Sequence, residues 1–85
     1  ELIGYMRERN FTEVRKWVAK NSDADSAVLF KELYDNASDI VDPSTIPNLI
    51  LILADYQYKA AFVADHELNI MAALTEVMIQ CKFNK

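Results

Sequence analysis

The residues able to do chemistry are few and scattered. His66 is the only histidine, flanked by Asp65 and Glu67. A general base or a metal ligand needs partners on its own face, and on a helix neighbours in sequence point apart. His66 is therefore expected at a solvent-facing first helical position. Cys81 has no second cysteine and no histidine near it in sequence; a small buried hydrophobe is the expectation. Asp23 and Asp25 start like a calcium loop, but the glycine and distant glutamate of such a loop are missing, so helix capping is expected. Arg7, Arg9, Arg15 and Lys16 make the only basic cluster, interleaved with Glu8 and Glu13 as on a solvated face. Asp55, Glu67 and Glu76 would be the carboxylates to watch if a polar cleft existed. There is no glycine-rich phosphate loop, no metal-ligand spacing and no nucleophile–base pair. The chain is expected not to be an enzyme, and no catalytic, cofactor-binding or metal-ligating residue is expected.

Aromatic residues suggest contact instead. Tyr56, Tyr58 and Phe62 fall within seven residues. One small core cannot absorb all three, so an interface role is open for them. Trp17 is expected in the core, though an aromatic on a helix can also anchor a partner.

Eighty-five residues allow a single domain, 1–85, with one small core. One glycine and two prolines are too few for the turns of a β protein and favour helices on short links. The net charge of −4 argues against nucleic-acid binding by this chain alone. A single cysteine fits a reducing compartment, cytoplasmic or nuclear, and no signal peptide is recognisable. The apolar run Leu49–Leu53 is far too short for a membrane span. The chain opens at Glu1 in helix-like sequence, which suggests a piece of something longer.

Five helices are expected, an all-α fold. Residues 1–8 put Leu2, Ile3 and Met6 on one face, with Gly4 weakening the helix by about 1 kcal/mol relative to Ala. Asn10 and Glu13 have capping-box spacing before Phe11, Val14, Trp17 and Val18, and this helix should end near Lys20 or Asn21. Asp23, or else Asp25, caps a third helix carrying Val28, Leu29, Phe30, Leu33, Tyr34 and Ala37, which Asn36-Ala37-Ser38-Asp39 should end. Asp42-Pro43 is a start signal for the fourth, but Pro47 would bend its first turn, so its regular part begins at Ile46 or Pro47. Asp65 caps the fifth, which runs from His66 to about Lys82. Leu68, Met71, Leu74, Met78 and Cys81 give it one apolar face; Ile70, Ala73 and Val77, with Phe83 beyond, give it a second. Residues 49–62 and 65–82 should form a long antiparallel central pair, with the first three helices covering one side.

The stretch 43–85 holds only three Lys/Arg and four Asp/Glu. It cannot keep every face of two helices solvated, so part of their surface is expected to meet a neighbour. Tyr56, Tyr58, Lys59, Phe62, Ile70 and Val77 are the expected interface residues.

Tyr58-Lys59, then Ala64-Asp65-His66-Glu67-Leu68-Asn69-Ile70, resembles the closing motif of replication factor C small subunits and related AAA+ clamp-loader ATPases. In that motif an aspartate–tyrosine–arginine stretch precedes glycine–alanine–asparagine–proline–glutamate and a last helix. Arg9-Asn10-Phe11-Thr12-Glu13-Val14-Arg15-Lys16-Trp17-Val18 resembles the same family's entry to the collar. The likeness spans about residues 2–83. Val63 stands where the family often has glycine, Gln57 where it has aspartate, and His66 where it has proline; this drift is closer to phage-type subunits. The resemblance implies a five-helix collar domain that joins clamp-loader subunits into a ring in DNA replication. It also implies partners: other clamp-loader subunits, and, through the parent complex, a sliding clamp and primer–template DNA. ATP and Mg would belong to separate ATPase modules, and no catalytic residue transfers to this chain. A free-standing helical adaptor that takes a partner helix between the last two helices is the competing expectation.

Overall fold

The computed structural model describes residues 2–21 and 25–84. Six α-helices follow one another: α1 (Leu2–Arg7), α2 (Phe11–Lys20), α3 (Ser26–Asp35), α4 (Ala37–Ile40), α5 (Ile46–Lys59) and α6 (His66–Gln80). A 3₁₀ turn, Pro43–Thr45, leads into α5. The fold is all-α. The expected count of five becomes six because the third segment breaks at Asn36. There the side-chain amide donates to the Glu32 carbonyl at 2.8 Å and ends α3, and Ala37 to Ile40 start again.

Local chemistry accounts for most boundaries. Asn10 caps α2 by accepting from the Glu13 N–H at 3.2 Å. Glu13 does not complete the capping box; it pairs with Lys16 at 3.5 Å. Asp25 caps α3 through the Ala27 N–H at 2.9 Å, and the alternative cap Asp23 lies outside the described residues. The Asp42-Pro43 signal starts the 3₁₀ turn and not α5 itself. The Asp42 carboxylate accepts from the Ser44 hydroxyl and N–H, which hold its pKa below the ordinary carboxylate value. α5 then begins at Ile46 with Pro47 in its first turn, where a missing N–H costs no intrahelical bond.

α5 ends three residues earlier than expected, and it does so without glycine. Ala60 stays right-handed, at φ −57 and ψ −25. Tightened bonds from Ala61 to the Tyr58 carbonyl and from Phe62 to the Lys59 carbonyl wind the helix down. No left-handed residue is required, so no glycine is required. α6 stops at Gln80, short of Lys82, because Cys81 turns extended. The tail then pairs antiparallel with the strand-like Val41 through Phe83. The Asp42 N–H reaches the Lys82 carbonyl at 2.7 Å, and the Asn84 N–H reaches the Ile40 carbonyl at 2.9 Å.

The core lies around α6. Ala73, Leu74, Val77 and Met78 are buried there against α1, α2 and α5, and α3 packs on α5. Met6, Val14, Val18, Phe30 and Leu49 complete it. α5 and α6 are the expected central pair.

One backbone feature ties the two ends of the chain together. Arg9 has φ of 54°, the only positive φ outside glycine among the described residues. It ends α1 in a left-handed cap, with Asn10 N–H bonded to the Tyr5 carbonyl and Arg9 N–H to the Met6 carbonyl. Glycine would suit this position better. The guanidinium is what argues for arginine. Its Nε donates to the Met78 carbonyl at 3.1 Å and its Nη2 to the Cys81 carbonyl at 3.2 Å, and it stands 5.8 Å from the Phe83 ring. A cation here satisfies the open carbonyls at the end of α6 and suits its dipole. Arg9→Ala should therefore cost about 2 kcal/mol in urea unfolding. Arg9→Gly should cost about 1 kcal/mol less than Arg9→Ala, because glycine recovers the left-handed backbone penalty. Equal losses for the two variants would show that the backbone at Arg9 is not strained.

Candidate assembly surface on the last two helices

α5 buries Leu49, Ile52 and Leu53, and half-buries Tyr56. At 100° per residue these point one way, and Pro47, Leu51, Ala54 and Tyr58 point the opposite way. That outer stripe is apolar along its length and exposed. Leu51 is 71% exposed, Tyr58 70% and Phe62, just beyond the helix, 71%. The Tyr58 and Phe62 rings rest on each other, with centroids 5.2 Å apart and planes tilted by 55°. Neither ring is covered by the rest of the chain.

α6 repeats the pattern. Its buried side holds Ile70, Ala73, Leu74, Val77 and Met78. Opposite lie Leu68, Ala72, Thr75 and Ile79, at spacings of four, three and four residues. Leu68 is 66% and Ile79 65% exposed. A shallow concavity runs along this stripe, edged by Met71, Glu76 and Gln80.

Between the two helices a polar network fixes their spacing. The Tyr56 hydroxyl donates to Glu76 Oε1 at 2.8 Å. The side-chain amide of Asn69, itself buried, donates to the Tyr56 carbonyl at 3.2 Å. Lys59 Nζ lies 3.0 Å from Asp55 Oδ2 and 4.8 Å from the centre of the Tyr56 ring. The carboxylate of Glu76, followed by partial burial, raises the Tyr56 phenol above its ordinary value. A raised folded pKa means that the contribution is fully present below the unfolded tyrosine value and is lost as pH climbs through the folded one. Tyr56→Phe should cost about 1 kcal/mol at neutral pH. The gap to wild type should close well above pH 10, as read by chemical unfolding at both pH values.

The expected interface residues divide. Tyr58 and Phe62 lie on the open outer surface of α5 and its following turn. Tyr56 and Lys59 occupy the flank, tied to Glu76 and Asp55. Ile70 and Val77 are a correction. At 3% and 1% exposure they belong to the chain's own core and have no surface to offer a neighbour. The reason is rotational. The two apolar faces assigned to the last helix, Leu74/Met78/Cys81 and Ile70/Ala73/Val77, adjoin and merge into one wide buried face. Leu68 falls outside it, and Met71 is only partly buried. Leu51, Leu68 and Ile79 are not among the expected interface residues, Leu68 being expected on an apolar face with Leu74 and Met78, although the 51/54/58 and 68/72/75/79 spacings mark them.

The other candidates are placed as follows. His66 is exposed at the first position of α6. Cys81 is buried, and burial pushes its thiol pKa up. Arg7 and Arg9 are committed to the tail, Arg7 donating to the Asn84 carbonyl at 2.7 Å. Arg15 and Lys16 are exposed, and Trp17 is half-buried against the core. Of the three carboxylates, Asp55 and Glu76 meet around Tyr56 and Lys59. Glu67 lies instead near the start of α6 with Asp65 and Arg15. Among the described residues no cluster of three His, Cys, Asp or Glu side chains could hold a metal ion. No described helix is long and apolar enough to cross a membrane. Compared with protein-family models the chain matches none, and compared with curated proteins it has no significant match.

Proposed function

We propose that this chain is an assembly domain, the collar of a clamp-loader ATPase subunit, and that the outer faces of α5 and α6 are where it meets its neighbours. The observation that carries the reading is the pair of apolar stripes, each lying opposite its helix's buried face. A helix buried on one side normally turns charge to the solvent. Here Leu51, Ala54 and Tyr58 on α5, and Leu68, Ala72 and Ile79 on α6, replace that charge. Contiguous exposed apolar surface of this kind marks contact sites. Two separate stripes also suit a subunit with a neighbour on each side. The clamp-loader part of the reading rests on the resemblance of Arg9–Val18 and Tyr58–Ile70 to that family. It assigns DNA replication, ring assembly around ATP and Mg held in other modules, and loading of a sliding clamp on primer–template DNA.

The encoding reading frame tests this. A phosphate-loop motif followed by an Asp-Glu pair upstream of Glu1, in a protein whose ATPase responds to primer–template DNA, would support the clamp loader. A start codon immediately before Glu1 would overturn it. It would favour a free-standing adaptor whose partner helix lies in the concavity along Leu68, Ala72, Thr75 and Ile79.

A further inference from the structure

We infer that the groove between α1–α2 and α3–α4 is a docking site for a basic amphipathic helix of a partner protein, which sets apolar side chains into the groove and a cation against each of Glu32 and Asp39. None of the groove's residues belongs to the outer stripes of α5 and α6, so the inference stands apart from the assembly reading.

The groove has an apolar floor and an aromatic wall. Leu2 of α1, Leu33 of α3 and Ile40 of α4 form the buried floor. Trp17 of α2 and Leu29 of α3 are half-buried and wall it. The space measures about 480 Å³ and is half open to solvent, so more than one large side chain can enter. Concave apolar surface of this kind is where an anchor side chain contributes most to binding.

Charge selects the occupant. Glu32 and Asp39 line the groove, both are exposed, and no cation lines it among the described residues. The nearby lysines are engaged elsewhere: Lys31 holds Asp35 at 2.6 Å and Lys16 holds Glu13 at 3.5 Å. Neither Glu32 nor Asp39 has an ion-pair partner among the described residues. An anionic partner would be repelled by this rim, and a neutral one would leave both carboxylates unmatched. A cationic partner satisfies both.

Spacing selects a helix. Glu32 and Asp39 are seven residues apart, about two helical turns or roughly 10 Å, with Asn36 between them. A helix laid alongside meets them with Lys or Arg at i and i+7, and turns its apolar residues at i+3 and i+4 into the groove. A small molecule fits less well. Small-molecule sites enclose most of their ligand and hold it by polar groups inside, whereas here the polar groups stand on an open rim.

Trp17 supplies the test. It is the only tryptophan, so its fluorescence reports occupancy of this groove and not of the stripes on α5 and α6. The probe is a synthetic helix of leucine and lysine, with lysines at i and i+7 around leucines at i+3 and i+4. It should shift Trp17 emission saturably at concentrations on the order of 10–100 μM. Glu32→Lys/Asp39→Lys should weaken the binding at least about tenfold. A second probe with glutamate in place of lysine should not bind the wild-type chain and should bind this double variant. Both positions are exposed, so circular dichroism of the variant should show unchanged helix. A Trp17 signal that stays constant up to millimolar peptide, equal binding of the two probes, or indifference to Glu32→Lys/Asp39→Lys would overturn the inference. So would a small organic cation, tetrabutylammonium, that shifts Trp17 at the same concentration as the lysine helix.

Discussion

Ile70→Asp should leave the chain unfolded at room temperature. Ile70 lies in the middle of the core, 3% exposed, on the face of α6 that also holds Ala73, Leu74 and Val77. Losing its burial costs about 2–3 kcal/mol. Placing an unpaired carboxylate in the same position adds several more. A domain of this length has a total stability of about 4–13 kcal/mol, and the sum takes up most or all of that. Far-UV circular dichroism at 25 °C should show the helical signal lost or melting far below wild type. A native spectrum with an unchanged melting curve would mean that Ile70 faces outward.

Tyr58→Glu/Phe62→Glu should do the reverse. Both side chains are about 70% exposed and touch mainly each other. Their replacement should shift stability by roughly 0.5 kcal/mol each at most, as for other surface positions. Self-association through the outer face of α5 should fall by about a hundredfold or more, because two exposed aromatic anchors are replaced by charge. Sedimentation equilibrium and thermal melting on the same sample read both effects. Undiminished self-association would move the contact away from α5. Ile70 and Phe62 look alike on a list of apolar residues in the last two helices, yet their substitutions are expected to have opposite consequences.

That contrast marks where the sequence was legible. The caps Asn10 and Asp65 name their helix starts because each is a short polar side chain placed before an apolar periodic run; α3 is capped by Asp25, the second choice after Asp23. The start of α5 at Ile46 follows from Pro47, which is tolerated only in a first turn. The ends of helices were less evenly legible. Asn36 ends α3 within the stretch expected to end it, through a bond of its own side chain, but the restart at Ala37 was not marked, and α6 stops where its tail finds Val41, a partner some 40 residues away in sequence. The role of Arg9 was hidden for the same reason. Its partners Met78 and Cys81 lie at the far end of the chain, and nothing in the local sequence marks a left-handed arginine.

The surface was half legible. Scarcity of charge in residues 43–85 suggests that some apolar face stays uncovered, and Tyr58 and Phe62 are on such a face. Which side of α6 turns inward depends on where α1, α2 and α5 pack, and periodicity alone does not fix that rotation. On an apolar helix such as this one, two stripes compete for the core. The wider one, Ile70/Ala73/Leu74/Val77/Met78, took it, leaving Leu68 and Ile79 outside. A narrower pattern of charge on α6 would have settled the choice from sequence.

Sedimentation equilibrium of the unmodified chain over a range of concentrations tests the central claim most directly. The account predicts a weight-average mass that rises above the 9.7 kDa of one chain as concentration increases, with helix content unchanged. A folded chain that holds 9.7 kDa up to millimolar concentration would contradict it.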